Sequence, residues 1–190
     1  MGTPKALLPM PSAGGSGGGQ KTFLEHLLEV TCHHHINFRR VVLGAHAEEV
    51  RAQVPLDPAC VVVNPDWPRG QLSSIHAALR SLREGTTSGI LLCPVDHPLI
   101  SCALVSTLVE QFHSSGRPIV LPRWEGQRGH PVIFAASLYA ELFAAPHDTG
   151  ARAVVWAHAA EVLEVPTDEE GCVLNLNDPE ALKGIRAQAE

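Results

Sequence analysis

Two hydrophobic rhythms alternate along this chain. Short apolar or β-branched runs read as strands at Arg40–Leu43, Cys60–Val63, Ile90–Val95, Ile119–Leu121, Val132–Phe134 and Val162–Val165. Between them, apolar residues at helical spacing predict helices over Thr22–His33, Ala47–Gln53, Leu72–Leu82, Ala103–Phe112, Ala151–Ala159 and Asp178–Ala187. Repeated βα units of this size imply an α/β fold, a mostly parallel sheet with helices on both faces. There is no internal repeat and no sign of a second domain, so residues 1–190 are expected to form one domain.

One of these runs carries a chemical signal. The buried strand that begins at Ile90 ends in Pro94-Val95-Asp96-His97-Pro98, and Pro98 cannot donate to a ladder. A carboxylate is thereby left at the carboxyl end of a buried strand, the edge where open α/β sheets bind ligands. Such a carboxylate suits a hard cation such as Mg²⁺, which in turn holds phosphates. The plain alternative is an Asp capping the helix near Ser101, and only the rest of the chain decides between the two.

Other polar segments fall at the same edge. Gly44 follows one strand and Asn64 the next. The loop after Asn64 runs into a helix at Gln71-Leu72-Ser73-Ser74, where free N–H groups and hydroxyls are suited to an anion or a base edge. Arg128-Gly129-His130-Pro131 opens a strand and Asp148-Thr149-Gly150-Ala151-Arg152 opens a helix. Asn175-Leu176-Asn177 offers amide oxygens as a second source of cation ligands.

Composition narrows the partners. The formal net charge of −6 and the lack of a basic patch argue against nucleic acid. No apolar stretch is long enough to span a bilayer, and no signal-peptide pattern opens the chain, so no membrane is expected. The five scattered cysteines fit a reducing compartment, and a cytoplasmic location is expected. Pro11–Gly19, rich in Gly and Ser, reads as a flexible surface insertion within residues 11–19. Cys32-His33-His34-His35 lacks zinc-ligand spacing and reads as a helix C-terminus, where histidines suit the dipole.

Five colinear segments carry a family resemblance. They are Met1-Gly2-Thr3-Pro4-Lys5-Ala6-Leu7-Leu8-Pro9, Gly70-Gln71-Leu72-Ser73-Ser74, Pro94-Val95-Asp96-His97-Pro98, Arg128-Gly129-His130-Pro131-Val132 and Asp148-Thr149-Gly150-Ala151-Arg152. Together they resemble the nucleotidyltransferases whose closest branch is the molybdenum cofactor cytidylyltransferases, with the guanylyltransferases as a related branch. The resemblance implies a Rossmann-like three-layer α/β/α sandwich of the nucleotide-diphospho-sugar transferase type. It also implies Mg²⁺-dependent transfer of CMP from CTP to a molybdopterin-type cofactor, with release of pyrophosphate.

On this resemblance Lys5 and Asp96 are catalytic, and Asp96 and Asn177 hold the metal. Gly2, Lys5, Gly44, Asn64, Gln71, Ser73 and Ser74 line the nucleotide pocket. His97, Arg128, His130, Asp148 and Arg152 face the pterin substrate. A molybdoenzyme or its chaperone is an implied partner. Relatives of this type open with an apolar mid-sheet strand and a glycine-rich loop ending Arg-Met-Gly, whereas this sequence starts at Met1-Gly2. A sheet short of one internal strand, marginal stability and weak activity are therefore expected of the chain as it stands. Two other readings remain open: a nucleotidyltransferase for another small phosphorylated substrate, and a catalytically impaired binding or accessory homologue.

Overall fold

The computed structural model describes residues 2–11 and 20–176. The expected helix over Asp178–Ala187, metal ligand Asn177 and residues 12–19 of the proposed insertion lie outside the described residues.

Among the described residues, six α-helices and seven strands follow in sequence. They are α1 (Phe23–Val30), β1 (Val41–Leu43), α2 (Ala47–Gln53), β2 (Val61–Val63), α3 (Gln71–Arg80), β3 (Gly89–Leu92), α4 (Cys102–Ser115), β4 (Ile119–Trp124), β5 (Gln127–Arg128), β6 (Val132–Ala135), α5 (Tyr139–Ala144), α6 (Arg152–Ala157) and β7 (Val162–Pro166). Helix α1 starts sharply because Thr22 and Glu25 form a reciprocal capping box. It ends before the histidine tract. Thr31 turns back to donate its hydroxyl to the Leu27 carbonyl at 2.7 Å. His33, His34 and His35 then lie beyond the last turn, stacked on one another and on His113.

The α/β class holds, but the pairing is less parallel than the alternation implied. β1 pairs with β2, and β7 with β4, in parallel. β6 pairs antiparallel with both β3 and β4, and β5 antiparallel with β4. The cause is connection length. A parallel neighbour needs a crossover of a dozen or more residues. Only residues 125–131 separate β4 from β6, and Glu125 and Gly126 reverse the chain with φ of 43° and 85°. Strand β6 can therefore only return against β4. Because β3 and β4 both oppose β6, they run parallel to each other, linked across α4.

Side-chain alternation shows the layering. Val120 and Ile133 face a core shared with Leu27 of α1 and Val105 and Leu108 of α4. Their neighbours Ile119, Leu121, Val132 and Phe134 face the opposite core, with Leu72 and Ile75 of α3 and Leu142 of α5. A sheet thus lies between two helical layers. A third apolar group joins β1 to α2 through Val41, Leu43, Val50 and Val54. No strand pairing joins β1–β2 to the other five strands among the described residues.

Candidate active site

Just past the carboxyl end of β3, the chain turns at Pro94 and presents Asp96, whose carboxylate lies 3.5 Å from the Lys5 ammonium. Residues 91 apart in sequence meet here because the short turn Lys5–Leu7 buries Leu7 against the β1–α2 core. The Asp96 carbonyl also accepts the Leu176 N–H at 2.8 Å. That bond brings Asn175 to the rim of the same cavity.

Beside this pair stand two imidazoles. His97 is 8% exposed, and its ring centroid lies 4.6 Å from that of His130. The Nδ1 atoms of both rings are buried with no hydrogen-bond partner. Burial pushes both imidazoles down from their ordinary value, and for His130 the fall reaches about 4, deepened by neighbouring His97 and Arg152 and opposed by Asp96. Both rings are therefore neutral at pH 7. Formal positive charge at the mouth comes from Lys5 and Arg152.

The nucleotide-pocket expectation rests on the start of α3. Gly70, at φ 92°, turns the chain into the helix without a side-chain cap. Buried Asn64, at the end of β2, donates from Nδ2 to the hydroxyls of Ser73 at 2.9 Å and Ser74 at 3.1 Å. Its Oδ1 accepts from the Asp66 N–H at 3.0 Å. Both serine hydroxyls are thus engaged by Asn64, while Ser73 closes the turn by donating its hydroxyl to the Gly70 carbonyl at 2.7 Å and its N–H to the same oxygen at 3.1 Å.

The sequence-derived residues divide into two sets. Lys5, Gln71, Ser74, Asp96, His97, His130 and Arg152 line one cavity of about 890 Å³. Asn64 and Ser73 support it from behind through Ser74. Gly2 is exposed outside it. Gly44 packs under Trp67, where a Cβ would come within 2.7 Å of the Trp67 Cβ, so its role is close packing. Arg128 is turned away to Glu164 at 2.7 Å, and the exposed Asp148 bonds the Thr149 N–H at 2.8 Å. Asn175, which the sequence offers together with Asn177 as an amide oxygen for a cation, lines the same cavity.

Among the described residues, no three His, Cys, Asp or Glu side chains gather as metal ligands. Mg²⁺ fits such a site, since it is commonly held by one or two carboxylates together with substrate phosphates. Asp96 would supply the carboxylate, and Asn175, which lines the same cavity, an amide oxygen.

An α/β sheet with a carboxylate, an ammonium and a helix N-terminus gathered at one strand edge defines a phosphate-handling ligand site. The chain matches the MobA-like NTP transferase domain over residues 1–162 and belongs to that family. It is 34% identical over 138 residues to a probable molybdenum cofactor guanylyltransferase of Rhodopirellula baltica, covering 70% of this chain and 60% of that protein. It is 33% identical over 165 residues to nicotine blue oxidoreductase of Paenarthrobacter nicotinovorans, covering 78% of this chain and 71% of that one. The crystal structure of Rv0371c from Mycobacterium tuberculosis H37Rv superposes with a TM-score of 0.76 at 26% identity, covering 98% of this chain and 91% of that one. Rv0371C has also been solved in complex with manganese. No helix among the described residues is long and apolar enough to cross a membrane.

Proposed function

We propose that this chain is a divalent-metal-dependent nucleotidyltransferase that moves CMP from CTP to the terminal phosphate of a molybdopterin-type cofactor. The observation that carries the reading is the meeting of Lys5 and Asp96 at 3.5 Å beside the first turn of α3. An acceptor phosphate oxygen forms a bond to the α-phosphorus of CTP. The bond from that phosphorus to the oxygen bridging to the β-phosphate breaks, and pyrophosphate leaves. Such transfers depend on positioning and charge neutralisation rather than on a protein nucleophile.

Each role follows from placement. Lys5 neutralises charge that develops on the leaving group. Asp96, with an amide oxygen from Asn175 or Asn177, would hold Mg²⁺, which would supply charge neutralisation along the triphosphate. Gln71, Ser74 and the α3 N–H groups receive the nucleotide. Neutral His97 and His130 offer hydrogen bonds to the acceptor rather than charge, and Arg152 attracts its phosphate. The Rhodopirellula relative's name specifies guanylyl transfer, whereas Gln71–Ser74 and Arg128–Val132 resemble the cytidylyl branch. A molybdoenzyme or its chaperone is the proposed recipient of the product.

Calorimetric titration with CTP and GTP, each with and without Mg²⁺, tests this reading. Mg²⁺-dependent binding with CTP tighter than GTP is expected. Tighter GTP binding moves the chain to the guanylyl branch. Pterin binding with no nucleotide binding makes it an accessory homologue.

A further inference from the structure

We infer that His34, His35 and His113, with Glu110, form a binding site for one transition-metal ion of the zinc class. By itself the tract Cys32-His33-His34-His35 lacks ligand spacing, but the fold supplies what the tract does not. Helix α1 stops at Val30, so the tract is not helical and its side chains are not spread around a helix axis. His113 comes to it from the last turn of α4. Its ring centroid lies 4.4 Å from that of His35, which in turn lies 4.0 Å from that of His34.

Glu110 supplies the fourth donor. It stands one turn before His113 on α4, on the same face of that helix, and its negative charge acts on His35. A Glu-x-x-His pair on one helix can present both side chains to a common ion. His33 has a different task. Its Nδ1 accepts the His35 N–H at 3.2 Å and its carbonyl accepts the Ile36 N–H at 2.9 Å, which closes the turn. Ile36 packs against the core shared by α1 and α4, while His34 and His35 stay exposed. Among the described residues, no hydrogen bond engages the ring nitrogens of His34, His35 or His113.

As they stand the rings lean on one another, with 43° and 40° between their planes, and no three donors converge among the described residues. Zn–N bonds of about 2 Å set neighbouring imidazole centroids about 5 Å apart on a tetrahedral ion. The rings therefore need to part by only about 1 Å, through rotations that exposed side chains make freely. Imidazole donors select zinc, copper or nickel, whereas magnesium takes oxygen ligands, so this site is chemically distinct from the one proposed at Asp96. It is also apart in the fold. The last turn of α4 leads into the amino end of β4, whereas Asp96 follows the carboxyl end of β3, which runs parallel to β4. Four protein ligands fill a tetrahedral ion, so its role is structural: it ties the chain leaving α1 to the end of α4.

Calorimetric titration of the metal-stripped chain with Zn²⁺ in excess Mg²⁺ tests the site. One equivalent is expected to bind. Loss of an outer partner alone costs about 10–100-fold in metal affinity, so His35→Ala, His113→Ala and Glu110→Gln should each weaken binding at least about tenfold. Asp96→Asn should leave it unchanged. Nitrogen-resolved spectra of the histidine rings in the unsubstituted chain give a readout that no folding defect of a variant disturbs. There His34, His35 and His113 should shift together and saturate at one equivalent. Absence of binding overturns the inference, as do shifts confined to His97 and His130 or a loss seen only with Asp96→Asn. Unchanged affinity in His113→Ala leaves the tract acting alone, and unchanged affinity in His35→Ala or Glu110→Gln breaks the ligand set. Either result overturns the inference too. Neither nucleotide nor pterin enters these measurements, so their outcome is separate from that of the proposed activity.

Discussion

Asp96 and His130 stand a few residues from each other in space, yet burial and charge act on them in different ways. In the proposed role Asp96 contributes through its formal charge, so Asp96→Asn should keep the shape of the site and remove its metal affinity. Pyrophosphate release should fall by about 100-fold or more, on the scale of losing one preorganised electrostatic contact, with little change in Tm. Turnover close to that of the unsubstituted chain would remove Asp96 from the metal. His130 contributes through neutrality. Its native value of about 4 lies below the ordinary 6.5, so between those values the unfolded chain binds the additional proton. Stability is whole above pH 6.5 and falls as the pH drops toward 4, by about 2 kcal/mol at pH 5 from this group. His97 is shifted in the same direction and adds to the fall. Urea unfolding at pH 7 and pH 5 measures the loss, and His130→Gln should reduce it. Asp96 was legible from sequence because a proline-bounded apolar strand exposes its last polar residue. The burial of His130 was not, because it depends on where residues 97 and 172 pack.

Among the elements, helix α2 matches its expected span over Ala47–Gln53, and the remaining expected strands and helices within the described residues appear with shifted ends. Helix α5 and the two-residue β5 were missed. The first is only six residues long and follows a helical turn at Ala136–Leu138, which leaves no clear period. The second is Gln-Arg, polar on both faces, and exists because the turn at Glu125–Gly126 folds it against β4. A connection with no hydrophobic signature also holds the active-site edge. Gly171 sits so close to the segment following Asp96 that an added Cβ would lie 1.7 Å from the Leu99 carbonyl oxygen. Gly171→Ala must displace backbone, and a loss of about 1–3 kcal/mol is expected from overpacking of this kind. Chemical denaturation measures it, and a loss below about 0.5 kcal/mol would show that the two segments separate freely.

For the whole molecule, the division of strands matters more than any single contact. The β4–β6–β7 sheet is covered by two helical layers, whereas β1–β2 rests on one satellite core with α2. Stability should therefore be uneven. Native-state amide exchange is expected to show Val41–Leu43 opening at least about 2 kcal/mol more easily than Val120 and Ile133. Equal opening energies would mean that the two sheets unfold as one cooperative unit.

The sequence alone determined the α/β class, the positions of most elements and the presence of a carboxylate at a strand's carboxyl end. Each of these is local: hydrophobic period, proline placement and capping act within a few residues. Tertiary structure alone decided the antiparallel return of β6, the meeting of Lys5 with Asp96, the turning of Arg128 toward Glu164 and the stacking of His35 against His113. Those features depend on connection length and on which distant groups share a desolvated space, and neither quantity is encoded in the pattern of any one segment.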